Sequence, residues 1–78
     1  MNWEPIRAWD GWILGYREPT GGGNITYRAF SGVILGFYKK DLNVTTNFLG
    51  RHLTQGDSGV SLIMDNARQD PTLSPHVK

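Results

Sequence analysis

The chain has 78 residues and a mass of 8.8 kDa, room for one small domain that buries only roughly 60% of the surface it exposes when unfolded, so a two-domain enzyme is excluded. Charged residues make up 19% and apolar residues 38%, and 10 glycines stand beside no cysteine, which excludes a coiled coil, a disulfide framework, a cysteine zinc site and a thiol nucleophile. Eight Lys+Arg against seven Asp+Glu leave a formal charge of +1, too weak a field to gather nucleic acid or anionic lipid.

In chain order, Met1-Asn2-Trp3-Glu4-Pro5 places an acid and a proline where a secretion signal needs a basic region and an apolar run, which points to the cytoplasm. The longest apolar cluster, Val33-Ile34-Leu35, falls far short of a membrane span. Alternating side chains predict strands at about residues 6–9, 12–18, 24–30, 33–39, 44–49, 51–55 and 59–64. Helix finds little support beyond a short turn around Asp65-Asn66-Ala67-Arg68. Residues 1–65 read as a single β-hairpin-repeat domain and 66–78 as an extended tail, because Pro71 and Pro75 break regular pairing. That tail is expected to pack on its own sheet or on a neighbouring chain.

Self-similarity is the strongest signal. Arg7-Ala8-Trp9-Asp10-Gly11-Trp12-Ile13-Leu14-Gly15-Tyr16 returns 21 residues later as Arg28-Ala29-Phe30-Ser31-Gly32-Val33-Ile34-Leu35-Gly36-Phe37. A weaker third copy is Phe48-Leu49-Gly50-Arg51-His52-Leu53-Thr54-Gln55. The shared unit is aromatic-x-Gly-x-x-Leu, with the glycine placed where a tight hairpin turn needs positive φ. Leu14, Leu35 and Leu53 then take equivalent core positions. Gly21-Gly22-Gly23 and Lys39-Lys40-Asp41-Leu42-Asn43 reverse the chain at the other end, and the outcome is an all-β antiparallel meander of hairpin repeats forming a small barrel-like or flower-like sheet.

These repeated units, Trp9-Asp10-Gly11 with Ile13-Leu14-Gly15-Tyr16, Phe30-Ser31-Gly32 with Ile34-Leu35-Gly36-Phe37, and Phe48-Leu49-Gly50 with Leu53, resemble those of the four-fold β-flower proteins, small bacterial hairpin-repeat proteins of unknown function. The resemblance covers residues 7–56 or so and departs from the family in having three clear units. It implies an all-β hairpin array and brings no catalytic residue with it.

Candidate chemistry is sparse. Gly56-Asp57-Ser58-Gly59 with His52 repeats the letters around a chymotrypsin-like nucleophile, but that triad draws its members from distant parts of two barrels, and a turn is what these residues ordinarily make. Gly21-Gly22-Gly23 lacks the Gly-Lys-Ser/Thr ending of a phosphate loop. Asn24-Ile25-Thr26 and Asn43-Val44-Thr45 have the letters of glycosylation acceptors and read as strand openings. His52 and His76 show no metal spacing with the scattered carboxylates. No catalytic residue, cofactor or metal is therefore assigned.

Aromatic residues carry the remaining expectation. Trp3, Trp9, Trp12 and Tyr16, flanked by arginines such as Arg51, form either a core or subunit interface, which is favoured, or a stacking platform for a small ligand or sugar. The expected function is a non-catalytic binding or oligomeric assembly module of unknown ligand, with an intersubunit active site or nucleic-acid binding as weaker alternatives. Because a meander leaves two edges, a homo-oligomer, by preference a dimer, is expected, with Val60, Leu62, Ile63 and Met64 on its exposed last strand.

Overall fold

A computed structural model describes residues 3–77. Six strands follow one another in space as in sequence: β1 (Glu4–Arg7), β2 (Ile13–Gly21), β3 (Asn24–Ala29), β4 (Ile34–Lys39), β5 (Val44–Asn47) and β6 (His52–Gln55), every neighbouring pair antiparallel. The expected meander is present. The sheet is open, with β1 and β6 as its edges, so the barrel-like closure expected from the repeats does not occur.

The expected strand at 59–64 is replaced by a helix, α1 (Gly59–Gln69). Its buried residues, Gly59, Ile63 and Ala67, are spaced by four, and that stripe faces the sheet while Val60 stays exposed. The apolar run Val60-Ser61-Leu62-Ile63-Met64 satisfies both periods over a few residues, and Ala67 extends only the helical one. Val60, Leu62, Ile63 and Met64 accordingly lie on a helix and form no sheet edge; Ile63 is fully buried. The boundary expected at residue 65 falls inside α1. No helix is long and apolar enough to cross a membrane among the described residues.

Beyond α1 the chain makes a turn and a short 3₁₀ helix (Ser74–His76) instead of an extended tail. Leu73 there is buried with Leu14, Ile25, Tyr27, Ile63 and Ala67, and Val77 packs at the margin of this core. The tail thus docks on its own sheet and helix.

Each hairpin turn is built alike. Gly11 donates to Ala8 O and Ala8 to Trp12 O, at 3.0 and 2.7 Å; Gly32, Ala29 and Val33 repeat the pattern, as do Gly50, Asn47 and Arg51. The three glycines have φ of 89°, 96° and 87°, which closes a three-residue loop at little steric cost. Directly after each turn the register slips: Leu14 is left without a partner between the pairs Ile6↔Gly15 and Arg7↔Ile13. Leu35 and Leu53 are left out in the same way. The repeated leucine is therefore a bulge residue, and the distortion re-aims it.

Only two of these leucines reach the core. Leu14 is fully buried and Leu35 packs against the buried cluster, whereas Leu53 is 44% exposed. The difference lies in where α1 runs, across β2, β3 and β4. Glycine there serves the neighbouring strand first and the helix second: a Cβ on Gly15 would meet Arg28 O and then Ile63, at 2.5 and 3.0 Å, and one on Gly36 would meet Thr46 O and then Leu62 at 2.7 Å. The third unit has Thr54 at this position, and its hydroxyl donates to Ser58 Oγ at 2.8 Å, just where the chain turns up into the helix.

Candidate functional site

Because the strands alternate in direction, all three repeated turns lie at one end of the sheet, while 21–24, 40–43 and the 56–58 linker lie at the other. Successive turns are separated by two strands, about 10 Å. At this end stand Trp9, Trp12, Phe30, Val33, Phe48 and Leu49, six of the nine large apolar residues exposed among the described residues. Trp9 and Leu49 are 70% and 78% exposed. Surface apolar side chains are ordinary when scattered, and a cluster is what carries meaning.

The turns are held firmly from below. Arg7 Nη1 donates to Gly11 O and Arg28 Nη1 to Gly32 O, both at 2.9 Å, so the two arginines at the start of the repeat fasten their own turns. The third unit has Thr46 there and uses Asn47 instead, whose Oδ1 accepts from the backbone N–H groups of Leu49 and Arg51 at 3.0 and 2.9 Å. In the first turn Asp10 Oδ1 accepts from Trp12 N–H. The apolar tips are therefore displayed on fixed backbone.

The sequence-predicted aromatic set is divided by the fold. Trp3 crosses the face without the helix, its ring 5.6 Å from that of Tyr16 and 4.5 Å from the Arg28 guanidinium carbon. Arg28 is also paired with Glu18 at 3.0 Å, and Trp3 Nε1 is buried without a hydrogen-bond partner among the described residues. Trp12 lies parallel to the His76 ring at 4.5 Å, and His76 Nδ1 is 2.6 Å from Asp10 Oδ2. That hydrogen bond, before any other cause, holds the Asp10 carboxyl below the usual carboxylate range. Trp3 and Tyr16 thus lend ring surface to their own chain, Trp12 gives one ring face to His76 and stays 45% exposed at the tips, and Trp9 and Arg51 sit at the tips as well. Sequence reasoning did not group Phe30, Val33, Phe48 and Leu49 with Trp9 and Trp12 at one end of the sheet, although five of the six tip residues take the same two positions, two before or one after the repeated glycine.

The protease-like letters resolve into structure. Asp57 accepts the Tyr27 hydroxyl proton at 2.8 Å and the Gly59 N–H at 3.1 Å, and Ser58 N–H donates to the buried Thr45 hydroxyl at 2.8 Å. No hydrogen bond joins His52 to Asp57 or Ser58 among the described residues. Burial, and then the bond to Asp57, pushes the Tyr27 phenol up to about 12. Among the described residues no group of three His, Cys, Asp or Glu side chains is placed to hold a metal ion, and no enclosed cavity is present.

No family model, curated protein or solved structure matches this chain.

Proposed function

We propose that the chain is a non-catalytic binding module that engages a protein partner through its three hairpin tips. The observation that carries this reading is the gathering of six exposed apolar side chains on one end of the sheet, on turns fastened by Arg7, Arg28 and Asn47. Projecting tips suit insertion into a partner's surface, where aromatic anchors supply most of the binding energy. The likeness of the hairpin unit to the four-fold β-flower proteins belongs to the same proposal, with three units and a helix where that name implies four.

The test compares capture of protein partners from the native host by the wild-type chain, by Phe30→Ser/Phe48→Ser, and by Leu42→Ser at the opposite end of the sheet. A partner retained by Leu42→Ser and lost by the tip variant is expected. Equal capture by all three chains overturns the reading.

A further inference from the structure

Three side chains fasten the end of the chain to the first hairpin turn. His76 Nδ1 lies 2.6 Å from Asp10 Oδ2, across 66 residues of sequence, and the His76 ring stacks on Trp12 with an interplanar angle of 2°. Asp10 uses its other oxygen, Oδ1, to accept the Trp12 N–H at 3.1 Å, so one carboxylate holds both the turn and the tail. The paired side chains are only 23% and 29% exposed, which limits screening by salt. His76 ends the 3₁₀ helix that follows the buried Leu73, and the N–H groups of His76 and Val77 donate to Leu73 O and Ser74 O within that segment. The charged groups of the elements that meet here are engaged elsewhere: Arg7 donates to Gly11 O, Arg68 at the end of α1 is paired with Asp65, and Asp70 accepts the Thr72 N–H. Among the described residues, only Asp10 is bonded to His76.

We propose that the Asp10–His76–Trp12 contact is a proton-operated clasp, tightened on the first turn when His76 takes up a proton and loosened when it gives one up. An ionised carboxylate at Nδ1 keeps a proton there, so the second proton comes and goes at Nε2, which reaches solvent and has no partner among the described residues. With both nitrogens protonated, the hydrogen bond joins opposite charges and a cation lies flat on the indole face. With Nε2 bare, the donor is neutral, the bond falls to about half its strength, and the cation on the indole is gone. Asp10 stays ionised throughout, because the bond to His76, before any other cause, holds its carboxyl below the usual carboxylate range. Histidine is the side chain whose charge ordinarily changes between about pH 5 and 8, so the clasp answers to pH near neutrality. Leu73 is anchored in the core in both states, and only residues 74–77 respond. Trp12 is one of the tip residues, and the clasp governs how much of its ring they display. The clasp does not depend on the binding role of the tips.

Thermal midpoints of the full chain, of His76→Gln, of Asp10→Asn and of the double variant, each at about pH 5 and about pH 8, test the proposal. Asparagine keeps the carbonyl that accepts the Trp12 N–H and removes the charge. His76→Gln is expected to lower the midpoint about twice as far at the lower pH as at the higher, and in the Asp10→Asn background that difference disappears. Other titrating groups, His52 among them, are common to both chains of each comparison and cancel. Amide hydrogen exchange, expressed as protection relative to the unstructured chain, locates the effect. The N–H groups of His76 and Val77 are expected to lose protection several-fold between the two pH values in the wild type, and those of β3 to keep it. An equal effect of His76→Gln at both pH values overturns the proposal, as does a pH-dependent effect that persists in Asp10→Asn. Equal protection of the His76 and Val77 amides at both pH values overturns it as well.

Discussion

Replacing Gly59 by alanine puts two effects in direct opposition. Gly59 is the first residue of α1, and exchanging glycine for alanine within a helix ordinarily stabilises by about 1 kcal/mol. Here a Cβ would lie 1.8 to 2.3 Å from three atoms of the Tyr27 ring, where ordinary contact begins near 3.4 Å. The ring is 2% exposed and its hydroxyl is bonded to Asp57, so it has little room to yield. The helix must lift at its first turn instead, and the seat of Ile63 on Gly15 loosens with it. Overpacking of this kind costs about 1–3 kcal/mol, and loss of the Tyr27 hydrogen bond adds about 1 kcal/mol. The net expectation is a destabilisation of about 1–3 kcal/mol, against a total near 4–12 kcal/mol for a chain of this length. Each kcal/mol moves the midpoint of a domain this size by about 4–8 °C, so thermal melting followed by circular dichroism should report a fall of at least about 4 °C. Tyr27→Leu removes the obstacle, and the double variant should lose less than the sum of the single changes. A Gly59→Ala midpoint equal to or above that of the wild type would refute the close docking of helix on ring, because helix propensity alone predicts that sign.

The bulge leucines should separate sharply in a denaturant titration: Leu14→Ala is expected to cost about 2–5 kcal/mol and Leu53→Ala below about 1 kcal/mol, and equal losses would contradict the placement of α1. Tyr27 sets an alkaline limit. Its folded pKa, about 12, lies above the ordinary phenol value of roughly 10, so the protonated form is favoured by folding; its contribution is whole below pH 10 and disappears as pH rises through 12. Tyr27→Phe should flatten stability across that interval, and an unchanged pH profile would count against the buried Tyr27–Asp57 bond. The capture experiment on the hairpin tips and the pH comparison on the Asp10–His76 clasp complete the set.

The hairpins were legible because their determinants are local. An aromatic-x-Gly turn closes within five residues whatever surrounds it, and strand alternation is set by the backbone itself, so strand order and the three equivalent turns can be read from residues 7–55. Local pattern did not reveal that the repeated leucine is a bulge, since register is a property of two strands and not of one. Likewise the run from Gly59 onward suits a strand by its local pattern, and only the sheet beneath it, where Ile63 lies close over Gly15 and Leu62 over Gly36, seats it as a helix with Gly59, Ile63 and Ala67 buried. Partners far apart in sequence were hidden for the same reason: His76 reaches Asp10 across 66 residues and Tyr27 reaches Asp57 across 30. The sequence alone determined the repeating hairpin; tertiary structure decided which leucines are buried and which aromatics remain on the tips, because burial depends on where residues 59–77 come to rest on the sheet.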